Sequence, residues 1–287
     1  MTIDRYGELV LAQTFREPLT RDDIDAIERA VDGPIVWNHR AKTARESFAA
    51  FAPYTELALR EHVVSEHGVK FPIVARHRGL DPWLFLDLRA GRRVLARHAD
   101  SKTVLNLFAY TGSAAICALA HGATTAWNVD FARSSVQVAQ RSLVLNALDP
   151  ACLVTVVEDC LPVMRQLAGL PVKGRGAARP FTLVEARQFD VVFLDPPAFS
   201  RGPFGAVDVA HDYPSLFKPA LLATAEGGLV IATNHVAEVE AEAWRDVLRR
   251  CAAKAGRPLQ QIDLLQPDAD FPAFDGRPPQ KIALCRV

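Results

Sequence analysis

The sequence carries no net charge and no long apolar run. Its 33 Lys and Arg residues balance 33 Asp and Glu residues. A strongly cationic nucleic-acid binder is therefore not indicated, although local basic patches can still form. No stretch approaches the roughly 18 apolar residues that a membrane span needs, and the opening MTIDRYGELV has acids where a signal peptide would be apolar. These absences predict a soluble, cytoplasmic protein.

Paired cysteines are also missing. The chain has five cysteines, an odd number, and none of them forms a CxxC pair: Cys117, Cys152, Cys160, Cys251 and Cys285. This pattern fits a reducing compartment better than a disulfide framework or a zinc site. The sequence therefore predicts no metal centre.

Apolar strand patterns alternate with helical patterns from about residue 89 onward. Five apolar runs predict strands at residues 103–107, 125–129, 154–157, 189–194 and 228–233. Two more strands are predicted near the end, at 259–265 and 281–287. This alternation is typical of an α/β protein with a mostly parallel sheet and helices on both faces. Such a sheet binds its ligand beyond the carboxyl ends of its strands.

The chain before this alternation predicts a smaller unit. Residues 1–65 are predicted to form a small N-terminal α/β domain, with a helix that begins after the N-cap Thr20 and a second helix at 45–59. Residues 66–98 are predicted to form a connecting β-hairpin and a basic helix that leads into the fold. The strand-like runs of the hairpin are 63–74 and 83–88, with the connection at 76–82. Residues 99–287 are predicted to form the main domain.

The turn after the first main-domain strand lacks a full G-x-G-x-x-G pattern. It reads NLFAYTGS over residues 106–113, and Gly112 permits a tight turn with a ligand close to the backbone. The missing pattern disfavours a nicotinamide or flavin dinucleotide. Taken alone, most such turns only connect two elements.

Acids stand at the ends of the following strands. Asp130 ends the second strand and can accept hydrogen bonds from ribose hydroxyls. Glu158 and Asp159 follow the third strand, where a carboxylate can receive an adenine amino group. Each acid alone could equally be a solvated residue or a helix cap. Together with the glycine turn, they indicate an adenosine ligand that carries no pyrophosphate.

The fourth strand stops abruptly in FLDPPAFS, residues 193–200. Proline lacks the N–H that a central strand donates, so Pro196 and Pro197 end the strand. Asp195 is thereby predicted to stand at the strand tip, with a rigid turn behind it.

Several segments together resemble the class I S-adenosylmethionine-dependent methyltransferases. They are FLDLR at 85–89, VLNLFAYTG at 104–112 and FLDPPAFS at 193–200. More narrowly, they resemble the bacterial large-subunit (23S) ribosomal RNA methyltransferases that make 5-methylcytosine or 7-methylguanine. The resemblance covers roughly residues 66–287. It implies a Rossmann-like, seven-stranded, mostly parallel sheet with helices on both faces.

By this resemblance the cofactor is S-adenosyl-L-methionine. The implied cofactor-binding residues are Asp87, Arg89, Asn106, Phe108, Tyr110, Thr111, Gly112, Asp130, Phe131, Asp159, Cys160 and Asp195. Arg89 suits a carboxylate because its planar fork can bind one with two hydrogen bonds. A surface charge is the alternative for Arg89, and a packing role is the alternative for Cys160.

The resemblance to amino-methylating relatives assigns the chemistry to the DPPAF segment. The implied catalytic residues are Asp195, Pro196, Pro197 and Phe199. The acid and the neighbouring backbone carbonyl would accept hydrogen bonds from the target amine, and Phe199 would stack on the base. A base in a duplex must be flipped out, or be single-stranded, to reach such a site.

The residues after the fifth strand bear on which atom is methylated. Relatives that make 5-methylcytosine carry a cysteine there, because carbon 5 needs a thiolate to add to the ring first. This chain reads Ile231 to His235 without a cysteine, which favours methylation at nitrogen. Ser200, Asn234 and His235 are predicted to contact the substrate. His235 would orient or deprotonate it, or else be a structural histidine.

The predicted function is methylation of a nucleobase in ribosomal RNA. A basic region suits phosphate binding near the cleft: Arg76, His77, Arg78, Arg89, Arg92, Arg93, Arg97 and His98. Two alternatives stay open, namely a methyltransferase of the same fold that acts on a small molecule or a protein, and a non-catalytic RNA-binding factor. No membrane partner is expected, and the sequence does not distinguish a monomer from a homodimer.

Overall fold

The computed structural model describes residues 1–15, 17–40, 55–76, 81–172, 179–273, 276, 278 and 280–287. The chain divides into two compact units, Met1–Leu86 and Asp87–Val287. The predicted connecting hairpin belongs to the first unit, and the predicted basic helix belongs to the second.

The first unit contains a three-stranded sheet with the order β1-β2-β3. Its elements are β1 (Thr2–Tyr6), β2 (Leu9–Thr14), α1 (Arg21–Ala30) and β3 (Ile35–His39). Strands β1 and β2 are antiparallel, whereas β3 is parallel to β2 and is reached through α1. The predicted N-cap is confirmed, since the Thr20 hydroxyl accepts from the Asp23 N–H and the Asp23 carboxylate accepts from the Thr20 N–H. Strand β1 was not predicted, because its side chains are mostly exposed and charged.

The hairpin of the first unit turns earlier than predicted. Strands β4 (Glu61–Glu66) and β5 (Val69–Val74) are antiparallel and follow the short helix α2 (Thr55–Leu59). They turn at His67 and Gly68, which both have positive φ, as a two-residue hairpin turn requires. The predicted connection at 76–82 is wrong for this reason, and residues 77–80 lie outside the described residues. Most of the helix predicted before Leu59 also lies outside them.

The second unit contains a seven-stranded sheet, as the resemblance implies. The described strands of this unit, inside and outside that sheet, are β6 (Thr103–Leu107), β7 (Thr125–Asp130), β8 (Leu153–Val157), β9 (Phe189–Leu194), β10 (Phe199–Gly202), β11 (Gly205–Asp208), β12 (Thr224–Asn234), β13 (Gln261–Leu265) and β14 (Lys281–Arg286). The sheet order is β13-β14-β12-β9-β6-β7-β8, and only β14 runs against its neighbours. Strands β6 and β9 are almost continuously apolar because helices cover both faces of a parallel sheet. Strands β10 and β11 form a separate hairpin after β9 that was not predicted.

Six helices accompany this sheet and close its core. They are α3 (Arg89–His98), α4 (Ser113–Ala120), α5 (Arg133–Leu145), α6 (Cys160–Leu167), α7 (Tyr213–Leu222) and α8 (Ala241–Lys254). Short 3-10 turns span Leu86–Leu88 and Pro150–Cys152. The first of these was predicted as part of a strand, which is wrong. Across the described ranges, no helix is both long enough and apolar enough to span a membrane.

The sheet changes direction of growth next to β6. The chain moves outward from β6 to β7 and β8, then returns to place β9 on the other side of β6. Ligands of open α/β sheets bind at such a switch point, outside the carboxyl ends of the strands. The loops after β6, β7, β8, β9 and β12 therefore lie on the ligand-binding edge of the sheet.

Candidate active site

The loop after β6 is held in an uncommon backbone conformation. Phe108 and Tyr110 have φ values of 58° and 48°, in the left-handed region that non-glycine residues rarely occupy. Surrounding bonds compensate for this strain. The Tyr110 N–H donates to Asp130 Oδ2 at 2.8 Å, and the Phe108 N–H donates to the Cys160 sulfur at 3.2 Å. Strain that is enforced by long-range bonds is a feature of functional sites.

Gly112 ends this loop where no side chain fits. Its φ is 77°, and a Cβ added there would lie 2.3 Å from Asn128 Nδ2. Asn128 is held from below, because Asn106 Nδ2 donates to its Oδ1 at 2.9 Å. The Asn128 Nδ2 itself is buried and has no acceptor among the described residues. Glycine at position 112 therefore lets the loop backbone pass close to the buried side-chain amides of Asn106 and Asn128.

Asp130 braces the same loop from the end of β7. Its Oδ2 accepts from Tyr110 and its Oδ1 accepts from the Ala132 N–H, each at 2.8 Å. Burial raises the pKa of Asp130, while the two N–H donors act in the opposite direction. An ionised carboxylate offers about four lone-pair sites, so two remain for a ligand. Phe131, the next residue, is 74% exposed.

The two acids after β8 have different partners. Glu158 accepts from the backbone N–H and hydroxyl of Thr182, and so holds the segment before β9. Asp159 Oδ1 caps α6 through the Leu161 N–H at 2.9 Å. A Cβ on Gly202 would lie 2.5 Å from Asp159 Oδ2, so the β10–β11 hairpin lies directly against this carboxylate. Burial raises the pKa of Asp159. Asp159 is thus the better candidate for a ligand contact.

Asp195 is the centre of a polar cluster at the ends of β9 and β12. Its Oδ1 accepts from the Thr233 hydroxyl at 2.5 Å and from His235 Nε2 at 3.0 Å. The register pairs Leu194 with Ala232, which brings the next residues, Asp195 and Thr233, together at the strand ends. The Asp195 side chain is 17% exposed. One carboxylate oxygen is therefore fixed by two donors at the edge of the cleft.

The electrostatics of this cluster favour a charged histidine. Burial alone would lower the pKa of His235, but the carboxylates of Asp195 and Asp87 raise it to about 9. Burial raises the pKa of Asp87, which interacts with His235, Asp195 and Arg92. At neutral pH, His235 is therefore an imidazolium that faces two carboxylates.

Arg89, predicted at the front of the cofactor site, already has carboxylate partners. Its Nε donates to Asp268 at 2.9 Å and its Nη2 donates to Asp270 at 2.5 Å. Arg93 shares Asp268. The expected chemistry of Arg89 is present, but the carboxylates belong to the protein. The contact of Arg89 with the cofactor stays a prediction. Asp268 and Asp270 would compete with the cofactor carboxylate for its guanidinium.

Three other predicted residues have internal partners. The Cys160 thiol donates to the Val129 carbonyl and is 3% exposed. Asn106 is 2% exposed and bonds Asn128, while the Asn234 Oδ1 accepts from the Val236 N–H in a fully buried position. Their contacts with cofactor or substrate stay predictions. Their observed role is to shape the loops around the cleft.

The remaining residues of the DPPAFS segment lead outward from Asp195. Pro196 is buried, Pro197 is exposed and Ser200 is half-buried. Phe199 opens the β10 strand with 55% of its surface exposed, and the Arg201 guanidinium lies over its ring at 5.4 Å. The segment thus presents an exposed aromatic ring beside a cation. Thr111, in the loop after β6, is buried.

Sequence reasoning missed three residues that shape the site. Thr233 could have been found from strand adjacency, because the ends of the fourth and fifth strands meet in this fold. Gly202 follows the DPPAFS segment in a Gly-Pro-Phe-Gly turn that itself indicates a hairpin. Asp268 carries no local signal, because it pairs with Arg89 across 179 positions.

Fold and site together define an α/β enzyme built around an adenosine-containing ligand. The chain belongs to the S-adenosylmethionine-dependent methyltransferase family, whose family model matches residues 9–286. S-Adenosylmethionine is the cofactor that the family name specifies, and the class I fold that the sequence resembles is confirmed.

Named relatives narrow the comparison. The chain is 34% identical over 189 residues to ribosomal RNA large subunit methyltransferase K/L of Allochromatium vinosum, covering 64% of this chain and 23% of that protein. It is 25% identical over 279 residues to ribosomal RNA large subunit methyltransferase I of Aeromonas hydrophila, covering 95% of this chain and 66% of that protein. The chain therefore spans about a quarter of the first relative and about two thirds of the second.

Solved structures agree with this placement. A candidate S-adenosylmethionine-dependent methyltransferase from Streptococcus mutans is 25% identical, with a TM-score of 0.77 over 99% of this chain and 70% of that chain. A second, a candidate methyltransferase complexed with S-adenosylhomocysteine, has a TM-score of 0.76 at the same identity and covers 99% of this chain and 71% of that chain.

The residues of this chain fit such a cofactor. Gly112 lets the loop backbone pass close to Asn128, and Asp130 keeps two lone pairs after accepting from the Tyr110 and Ala132 N–H groups. No pyrophosphate-binding G-x-G-x-x-G pattern follows β6, and S-adenosylmethionine carries no pyrophosphate. The carboxylate acceptors of this site therefore match an adenosine ligand with a positively charged sulfonium.

Proposed function

We propose that this protein transfers the methyl group of S-adenosylmethionine to a nitrogen atom of a nucleobase in ribosomal RNA. The observation that carries the proposal is the Asp195 carboxylate, with Oδ1 held by Thr233 and His235 at the ends of β9 and β12. The names of the relatives support RNA as substrate. The chain spans only part of those proteins, so ribosomal RNA is proposed as the substrate and is not assigned from the relatives' names.

In this proposal, four parts of the chain hold the cofactor. The Asp130 carboxylate accepts hydrogen bonds from the ribose hydroxyls, and Asp159 receives the adenine amino group. The backbone from Phe108 to Gly112 passes beneath the methionine portion. The exposed ring of Phe131 covers one face of the adenine. When bound, the cofactor supplies a methyl group made electrophilic by the sulfonium.

Asp195 positions the nucleophile. Because Oδ1 is occupied by two donors, Oδ2 is the oxygen that accepts a hydrogen bond from the target amine. This contact aligns the nitrogen lone pair with the methyl group, and alignment supplies much of the catalysis in such displacements. As its nitrogen accepted the methyl group that the cofactor would supply, the target amine would lose a proton, which the Asp195 carboxylate would take.

His235 and Thr233 serve Asp195 and do not react themselves. The His235 imidazolium, whose pKa is raised to about 9, keeps a positive charge beside the carboxylate at neutral pH. Both donors fix the rotamer of Asp195, because a carboxylate held by two hydrogen bonds cannot turn freely. Pro196 and Pro197 restrict the backbone behind it.

A carbon target is disfavoured by the state of the cysteines. Methylation at cytosine carbon 5 needs a nucleophilic thiolate. The thiol nearest the cofactor loop is Cys160, and burial raises its pKa well above the usual range. It also donates to Val129 and accepts from Phe108. A protonated thiol that is held by two hydrogen bonds cannot attack a pyrimidine.

Phe199 is the surface on which the base stacks. Its ring is more than half exposed and already carries the Arg201 guanidinium at 5.4 Å. Aromatic and guanidinium planes both stack on unpaired bases. The base therefore reaches the site from a single-stranded region or after flipping.

The decisive experiment compares nucleosides by mass spectrometry. Ribosomal RNA from a strain that lacks this protein is expected to lose one methylated nucleoside present in the parent. In vitro, the purified protein should transfer tritiated methyl groups to that RNA. Labelling of the small-molecule or protein fraction, with none in RNA, would contradict the substrate. RNA binding without any transfer would contradict the enzyme.

A further inference from the structure

A groove of about 720 Å³ lies between α7 and α8. Its upper wall is formed by Val209 to Pro214 and by the segment around Val239, which follow β11 and β12. Tyr213 lines the groove and donates its hydroxyl to the Thr233 carbonyl at 2.8 Å. Because the Thr233 hydroxyl holds Asp195, one wall residue of the groove bonds the strand end that positions the proposed site of methyl transfer.

Three exposed cations line this groove: Lys218 of α7, and Arg250 and Lys254 of α8. Over the part of the chain that the structure describes, none of them has a carboxylate within 4.0 Å. Lys218 and Lys254 both lower the pKa of the Cys251 thiol, against the effect of its burial. They therefore act on the same part of the groove wall.

Other cations of the same helix are treated differently. Arg245 pairs with Glu242 at 2.5 Å, and Arg249 pairs with Asp246 at 2.6 Å. Arg250 and Lys254, in contrast, are four residues apart with like charge, which destabilises a helix slightly. Arg250 and Lys254 therefore form an exposed positive surface that can bind an anionic partner from outside the chain.

The first turns of α3, which belong to the basic region expected from the sequence, do not offer the same free charge. Arg89 and Arg93 are paired with Asp268 and, for Arg89, also with Asp270. Arg92 has no exposed surface. Folding therefore neutralises or buries the first turns of α3, while the cations of the α7–α8 groove stay exposed.

We propose that the α7–α8 groove binds the phosphate backbone of the RNA strand that carries the target base. This inference rests on the proposed function. Phosphates of the strand leaving the site would contact Lys218, Arg250 and Lys254, which fixes the position of the RNA without reading its sequence. Glu238 and Glu240, at the upper end, act on the buried ammonium of Lys281 and raise its pKa against burial. This interaction with Lys281 offsets part of the negative charge at the upper end of the groove.

The test replaces the three cations together, as Lys218→Gln, Arg250→Gln and Lys254→Gln. The matched control removes three exposed cations that already have carboxylate partners, as Arg21→Gln, Lys102→Gln and Arg249→Gln. The probes are large-subunit ribosomal RNA from a strain without this protein and a 20-nucleotide oligouridylate. Methyl transfer gives KM and kcat, and oligouridylate binding is measured over a range of salt concentrations.

The groove variant is expected to raise KM for RNA about tenfold with little change in kcat. Its log–log salt slope for oligouridylate should fall by about 2, since each phosphate contact on a single strand contributes about 0.7. Binding of S-adenosylhomocysteine should stay unchanged. An unchanged KM and slope, or an equal loss in the control variant, would overturn the proposal. If RNA is not methylated at all but the groove variant still selectively loses oligouridylate, the proposed function fails and the groove assignment stands.

Discussion

The two halves of the sheet edge hold their carboxylates in different ways. On the β7–β8 side, Asp130 and Asp159 are fixed by backbone N–H groups of their own loops and, for Asp130, also of the loop after β6. On the β9–β12 side, Asp195 is fixed by the side chains of Thr233 and His235. Backbone donors cannot titrate, so the first half is a constant frame for a cofactor. Side-chain donors can titrate and can be replaced singly, so the second half is where protonation and substrate chemistry are adjusted.

The largest expected effect comes from the substrate half. Asp195→Ala removes the acceptor that orients the target amine, so kcat should fall by about 10³-fold or more. The affinity for S-adenosylhomocysteine should change only a few-fold, because Asp130 and Asp159 are untouched. Tritium transfer to RNA and calorimetry measure the two halves separately. Full activity in this variant would show that Asp195 does not position the nucleophile.

A large effect on binding is expected from the cofactor half. Asp130→Ala removes the ribose acceptor and the acceptor of the Tyr110 N–H, so S-adenosylhomocysteine affinity should fall by about 30- to 100-fold. Asp149→Ala is the matched control, because Asp149 also accepts from a backbone N–H but caps a 3-10 turn elsewhere. Calorimetry that finds equal affinity in both variants would contradict a cofactor role for Asp130.

Gly112→Ala tests the loop geometry of the cofactor half. The new Cβ would meet Asn128 Nδ2 at 2.3 Å, so the loop must rise and S-adenosylhomocysteine affinity should fall about tenfold. Gly256→Ala is the control, since it has a similar φ of 71° with open space around its Cβ. Gly256→Ala should lose about 1 kcal/mol of unfolding free energy from left-handed strain, and Gly112→Ala should lose more because of the added clash. Only Gly112→Ala should also lose affinity in calorimetry.

The smallest expected effect on rate comes from the titration of His235. This titration also gives the sharpest difference between the two halves, because only the substrate half should depend on pH. The folded pKa of His235 is about 9 against an ordinary value of 6.5. Its contribution to stability is therefore complete below about pH 6.5 and is lost as the pH rises through 9. The loss would reach about 3 kcal/mol at most. Denaturant unfolding at several pH values measures it.

His235→Gln should remove this pH dependence. The variant should lower kcat about fivefold at neutral pH, because Thr233 still holds Asp195. We expect wild-type kcat to decline near pH 9, where His235 loses its charge, and this decline should be absent in the variant. Binding of S-adenosylhomocysteine should not follow the same titration, since the donors to Asp130 are backbone groups. A wild-type kcat that is flat through pH 9 would contradict the assigned charge of His235.

Much of the main fold could be predicted because its elements are locally encoded. Strands β6 and β9 match their predicted bounds, since both are short apolar runs between polar turns. The hairpin of β10 and β11 was missed, because its exposed, glycine-rich strands have no apolar alternation. Strand β1 was missed for the related reason that an exposed edge strand buries little.

The sequence by itself determined which residues stand at the strand ends. Asp130, Asp159 and Asp195 follow apolar runs directly, and a parallel sheet brings such ends to one edge. Only the tertiary structure decided their partners. Thr233 reaches Asp195 across 38 positions, and Arg89 turns to Asp268 across 179. Local periodicity reports which face of an element is buried, but hydrogen bonds and ion pairs between distant segments depend on register and packing that exist only once the chain has folded.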